Sequence, residues 1–210
     1  MGATEILAAE RAALCDTFDE VGSDAPTLCE GWVTSDLAAH LLVRETRPDA
    51  ALGILLPGPF ARHMQHVMDR TKHRGYASMV GALRTGPPYV FRNGPMAAPN
   101  VIENWVHHED VRRARGDGPR PADPEVDELL WKSLGLSSRL AARRVKGVGL
   151  ELRTPDGKAH TVSDRDPRVV VTGAPGELVL FMSGRKEAAV VDLDGPPDAV
   201  ALVIAARFGV

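Results

Sequence analysis

The stretch 100–114 reads Asn-Val-Ile-Glu-Asn-Trp-Val-His-His-Glu-Asp-Val-Arg-Arg-Ala and gathers several groups able to do chemistry. On a helix of 3.6 residues per turn, Glu103 and His107 lie one turn apart, Asp110 follows three residues later, and Ala114 continues the same stripe. Ile102, Val106 and Val111 flank that stripe, so the spacing predicts a polar line pointing into the protein. Burying a polar group without a partner costs on the order of 2–7 kcal/mol, and a charge costs more. A bound metal ion is one way to satisfy these groups. A Glu-x-x-x-His pair alone equally fits a solvated face or an i, i+4 hydrogen bond, so the metal reading needs a third ligand from elsewhere in the chain.

The candidate lies on the helix expected after Trp32. Thr34 or Ser35 can cap it, Asp36 suits the positive end of its dipole, and Leu37, Leu41 and Leu42 form its apolar side. His40 falls between Leu37 and Leu41 on the inward side, with Arg44 one turn further along the same face. As a lone residue His40 also fits a satisfied core histidine. Together with Glu103 and His107 it makes a set of two imidazole nitrogens and one carboxylate, which suits zinc, nickel, iron or cobalt better than calcium or magnesium. Three protein ligands leave a coordination position open for water or substrate, as catalytic rather than structural sites do.

At 210 residues the chain can bury a substantial core, and its 44% hydrophobic and 25% charged composition is that of a globular protein. A net charge of -3 gives no reason to expect a nucleic-acid partner, and the arginines at 112, 113, 115, 143 and 144 read as solvated helix ends. Glu5, Glu10 and Arg11 break up the N-terminus as a secretory signal, and no apolar run approaches the ~18 residues of a membrane span, so a cytoplasmic location is expected. The two cysteines, Cys15 and Cys29, form no C-x-x-C pair and read as buried thiols rather than zinc ligands.

Periodicity then places the elements. The spacing predicts helices over 4–21, with Thr4 as a cap, from 34 until Pro48, over 62–84 with a break near Gly75, over 100–114, and over 125–145. The apolar positions of the last are Val126, Leu129, Leu130, Leu134 and Leu140. His63, His66 and His73, within 62–84, read as surface residues. Loops are expected over 22–31 and 52–60, with 89–99 leading into the central helix. After Gly147 the pattern shortens: 149–153 and 158–163 flank Thr154-Pro155-Asp156-Gly157, a hairpin signal, and 168–172 and 188–193 are further strand candidates. Short helices are expected from Pro175 to Ser183 and over 197–207. Helices followed by strands with helices imply an α+β chain: a helical bundle over 1–118, a connecting helix over 119–146 and a small α/β domain over 147–210.

Three segments carry a resemblance. Cys-Glu-Gly-Trp-Val-Thr-Ser-Asp-Leu-Ala-Ala-His at 29–40, Glu-Asn-Trp-Val-His-His-Glu-Asp-Val-Arg-Arg-Ala at 103–114 and Ala-Pro-Gly-Glu-Leu-Val-Leu-Phe-Met-Ser-Gly-Arg at 174–185 resemble the actinobacterial mycothiol-dependent maleylpyruvate isomerase family, over nearly the whole chain. The resemblance implies a DinB-like four-helix bundle followed by a sterol-carrier-like α/β domain. It also implies a divalent metal, usually zinc, held by His40, Glu103 and His107, with mycothiol as thiol cosubstrate at the open position. Asp110, a turn beyond His107, is placed to orient an imidazole, whereas His108 points about 100° away.

The function expected from these readings is a metal- and mycothiol-dependent transferase or isomerase that presents a thiolate to an electrophilic small molecule. Arg44 and Arg185 are the substrate-binding candidates, since the family uses cationic residues for a dicarboxylate. The alternative from a different class is a non-catalytic metal-binding or small-ligand-carrier protein on the same fold. A homodimer is compatible with a bundle of this kind.

Overall fold

Leu7, Leu14 and Phe18 recur at helical spacing near the start of the chain, and all three are buried on one face of α1 (Ala3–Val21). The structure, a computed structural model, describes residues 2–51, 53, 58–86, 97–142 and 145–209. Most of the expected 52–60 loop, the 89–96 lead-in, the Leu140 side chain and Arg143 and Arg144 fall outside the described residues. The chain divides into two units, 1–118 and 119–210. It is α+β: helices dominate, and a four-stranded sheet lies in the second unit.

In the first unit α1 is followed by α2 (Thr34–Thr46), the single turn α3 (Pro48–Ala51), α4 (Pro59–Lys72), α5 (Tyr76–Thr85) and α6 (Ala97–Ala114). α1 packs against α5 and α6, and α2 against α4 and α5. Leu14, Phe18, Leu37, Leu41, Met68 and Met79 lie in the shared core. Gly75 adopts φ of 84°, a conformation strained for residues with a Cβ, which ends α4 and starts α5 within the expected 62–84 helix.

Two helix starts differ from expectation. α1 opens after Gly2, whose amide donates to Glu5 Oε2 at 2.9 Å, so Thr4 is not the cap. α2 opens after Val33, whose amide donates to Asp36 Oδ2 at 3.1 Å. The amides of Thr34 and Ser35 donate to the carbonyls of Ala25 and Ser23, and the Thr34 hydroxyl donates to the Gly22 carbonyl. The preceding loop therefore satisfies the orphan donors that a side-chain cap would otherwise take.

α6 is buried more completely than one inward stripe requires: every residue from Asn104 to Val111 is buried. Its polar side chains consequently need partners on several sides. The arginines at its end are part of this arrangement rather than solvated. Arg112 Nη1 and Arg113 Nε donate to the two oxygens of the fully buried Glu109 at 2.6 and 2.7 Å.

The second unit comprises α7 (Pro124–Ala142), β1 (Gly149–Arg153), β2 (Ala159–Ser163), β3 (Arg168–Thr172), α8 (Pro175–Met182), β4 (Asp192–Asp194) and α9 (Pro197–Ala205). Strand order is β2-β1-β3-β4. β1 runs antiparallel to β2 and parallel to β3, and β4 runs antiparallel to β3. The parallel register sets Leu150 beside Val169 and Leu152 beside Val171, all four fully buried, and α7 packs on α8 and β2. The β1–β2 turn closes with the Gly157 amide donating to the Thr154 carbonyl at 2.9 Å, and Gly157 has φ of 90°. The strand expected over 188–193 is displaced to Asp192–Asp194. The Ala188 and Ala189 amides bond to the Arg185 carbonyl, and the Val190 amide donates to Glu177 Oε2, so these donors are not available to the sheet. No helix among the described residues is long and apolar enough to cross a membrane.

Candidate metal centre

Helical periodicity places His40 of α2 and Glu103 and His107 of α6 so that their donor atoms meet. The three residues each offer a ligand atom within 4.8 Å of the others. Glu103 Oε1 lies 3.3 Å from His107 Nε2 and 3.6 Å from His40 Nε2, and the two imidazole rings meet edge to face with centroids 5.2 Å apart.

A separation of 3.6 Å is too long for a hydrogen bond. It is close to the spacing of donors around a shared ion: tetrahedral ligands about 2.0–2.1 Å from zinc stand about 3.3–3.4 Å from one another. His40 Nδ1 is buried with no hydrogen-bond partner among the described residues, so this is not a satisfied core histidine. Donor types and spacing fit a divalent ion held by Nε2 of each imidazole and Oε1 of Glu103.

The surrounding groups orient the three donors. His107 Nδ1 pairs with Asp110 Oδ2 at 2.8 Å, which turns Nε2 toward Glu103, and Asp110 is fully buried. Arg44 reaches Glu103 Oε1 through Nε at 3.2 Å while its Nη1 donates to Asn100 Oδ1 at 2.8 Å, so it joins the cluster from the α2 side. The Trp32 ring stands 5.2 Å from the His40 ring and supplies an apolar wall.

The two histidines titrate in opposite directions. Burial holds His40 below its ordinary value near 6.5, only partly opposed by Glu103. Burial also pulls His107 down, but its bonds to Asp110, Cys29 and Glu103 outweigh this and raise it well above 6.5. Burial pushes Glu103 up, and His107, His40 and Arg44 overcome that to hold it well below the usual carboxylate range. Without metal, these shifts favour a neutral His40, a protonated His107 and an ionised Glu103.

Other candidates are placed elsewhere. His108 is held by α1, with Nδ1 2.8 Å from Glu10 Oε1 and Nε2 2.9 Å from Thr17 Oγ1. Arg185 follows α8 in the second unit, where Nη1 donates to the Ser183 carbonyl at 2.7 Å. His63, His66 and His73 are exposed.

The residue that sequence reasoning missed is Cys29. Its Sγ lies 3.2 Å from Asp110 Oδ2, and it forms with His107 and Asp110 a second set of closely spaced ligating groups. The Leu28 amide donates to the Asp110 carbonyl at 3.0 Å and brings this loop onto α6. The only trace in the sequence is that Cys29 opens the same motif that ends at His40.

No family model matches the chain, and no curated protein matches it significantly. Two solved structures do, both described as the mycothiol-dependent maleylpyruvate isomerase and one of them a histidine-to-alanine mutant. They superpose with TM-scores of 0.58 at 16% and 15% identity, over 91% of this chain and 91% of theirs. The fold is shared with that isomerase. At this identity the likeness establishes the architecture and leaves activity to be argued from the site.

Proposed function

We propose that the chain is a metal- and mycothiol-dependent transferase or isomerase acting on an electrophilic small molecule, with His40 Nε2, Glu103 Oε1 and His107 Nε2 as the metal ligands. In this reading the first unit is a DinB-like bundle and the second a small sterol-carrier-like domain. The observation that carries it is the convergence of two imidazole nitrogens and one carboxylate oxygen at metal-ligand spacing, with His107 oriented by buried Asp110. Zinc fits the donor set first, with nickel, iron and cobalt compatible. A divalent ion bound there supplies Lewis acidity that makes a thiol available as thiolate near neutral pH.

The chain's own groups then have distinct tasks. Asp110 accepts from His107 Nδ1–H and so keeps the Nε2 lone pair on the ligand side. Arg44 bears on Glu103 with Nε and is anchored by Asn100 through Nη1. Its Nη2 is the donor we assign to an anionic substrate group. Trp32 shields His40 from water on one side. The thiol and the shared fold rest on the two isomerase structures, whose described activity is mycothiol-dependent.

The test is thiol consumption by zinc-loaded protein given mycothiol and a panel of electrophiles, maleylpyruvate among them. Turnover that requires both metal and thiol and disappears in Glu103→Ala supports the assignment. Loaded protein that consumes no thiol with any member of the panel refutes it.

A further inference from the structure

Sharing no residue with the metal centre, the residue that follows α2 and the outer face of α4 line a pocket of about 210 Å³ that includes three arginines and two histidines. Val67, buried, forms its floor, and Arg47, His63, His66, Arg70 and Arg74 stand around it with exposed side chains. On α4 the residues 63, 66, 67 and 70 recur at helical spacing, and Arg74 just past its end continues the row, so their side chains reach the same opening.

The charge around this opening does not balance. Asp49, from α3, is fully engaged: Arg47 donates to both of its oxygens at 2.9 and 2.7 Å, and His63 Nε2 lies 3.0 Å from Oδ2. That pairing cancels the charge of Arg47. Asp69, the nearest acidic residue in sequence to Arg70, accepts from Gln65 instead. The side chains of Arg70 and Arg74 have no ion-pair or hydrogen-bond partner among the described residues. Two guanidinium groups at i and i+4 thus face one cavity with two uncompensated positive charges, an arrangement that opposes itself. The helix dipole accounts for basic residues near the end of α4, but not for their convergence with two imidazoles on a concave floor.

From this we infer that the α4 pocket is a binding site for a phosphoryl dianion, with Arg70 and Arg74 as its principal ligands and His66 as a further donor. Two charges call for a dianion. Planar guanidinium forks match the oxygens of a phosphoryl group. The volume is below the roughly 300–1,000 Å³ of sites that enclose drug-sized molecules, so it admits a single phosphoryl group, free or as the head of a larger ester. The site is independent of the proposed thiol chemistry and stands if that proposal fails.

The experiment is calorimetric titration of inorganic phosphate into the full-length protein at low ionic strength and constant pH, with glucose 6-phosphate and succinate as parallel ligands. The protein is compared with Arg70→Gln/Arg74→Gln. Both positions are exposed, and circular dichroism checks that the variant folds. One phosphate per chain is expected, with affinity falling about tenfold or more in the variant, as for loss of one charge-assisted contact or more. Tighter binding of the sugar phosphate would identify an ester as the occupant, and equal binding would identify the free ion. No saturable binding, binding unchanged in the variant, or succinate binding as tightly as phosphate would overturn the assignment.

Discussion

His107 and His108 are consecutive residues on one helix, equally removed from solvent, yet they are set up for different tasks. Both nitrogens of His108 are engaged, one by Glu10 and one by Thr17, so the ring clamps α6 to α1 and has no atom left for a ligand. His107 has one nitrogen fixed by Asp110 and presents the other to Glu103 and His40. Burial therefore does not distinguish a structural histidine from one positioned to ligate. The direction of the second nitrogen does, and the turn of about 100° between neighbouring helix positions sets that direction.

The contrast is broken most severely by removing each ring in turn. His107→Ala should weaken metal binding by more than the roughly 10–100-fold expected for losing an outer partner, and it should also cost metal-free stability because the buried Asp110 loses its bond to the ring. Competition with a chromophoric chelator measures the metal affinity. His108→Ala should spare metal affinity. It removes the bond between the ring and the buried Glu10 carboxylate and opens a cavity, so about 2–4 kcal/mol of stability should be lost in denaturant unfolding while the folded fraction still binds metal. Equal metal affinities for the two variants would show that the helix presents no privileged face.

Asp110→Asn sharpens the comparison at a smaller scale. The amide can still accept from His107 but carries no charge, so metal affinity should fall about 10–100-fold rather than disappear.

A pH series is gentler still. His107 has a folded pKa above its unfolded value near 6.5, so its contribution is fully present below about pH 6.5 and is lost as pH rises through the raised value. The lowered pKa of His40 works the other way: stability is lost as pH falls below about 6.5, because the unfolded chain takes the proton first. Glu103, depressed below 4.5, adds further loss at lower pH. Thermal melts of metal-free protein should therefore show a maximum near pH 6.5 from these groups, and His107→Gln should flatten the alkaline limb. Zinc uptake at neutral pH should release about one proton, since His107 must give one up while His40 is already neutral.

Features governed by a local repeat were readable in the sequence. Helical spacing alone puts Glu103, His107 and Asp110 on one stripe and His40 and Arg44 on another, and Thr154-Pro155-Asp156-Gly157 signals the β1–β2 turn through its own chemistry. Contacts made across long separations were not readable. Nothing local says that Leu28 will hydrogen-bond to Asp110 and carry Cys29 beside it, that Glu10 and Thr17 will take both nitrogens of His108, or that Arg44 will meet Asn100. The displaced fourth strand has the same origin, because Glu177, 13 residues upstream, captures the amide of Val190. Cys15 and Cys29 make the point within one residue type. Burial pushes the Cys15 thiol up to about 11, whereas Cys29, which reads identically in sequence, lies against the ligand cluster.

The central claim is that donors from α2 and α6 hold one ion between them. The most direct test is to measure bound zinc per chain after exhaustive dialysis, for the natural protein and for His40→Ala. The account predicts about one ion per chain in the first and near none in the second, because His40 is the ligand that α2 supplies. Zinc retained at full occupancy without His40, or absent from the natural protein, would contradict it.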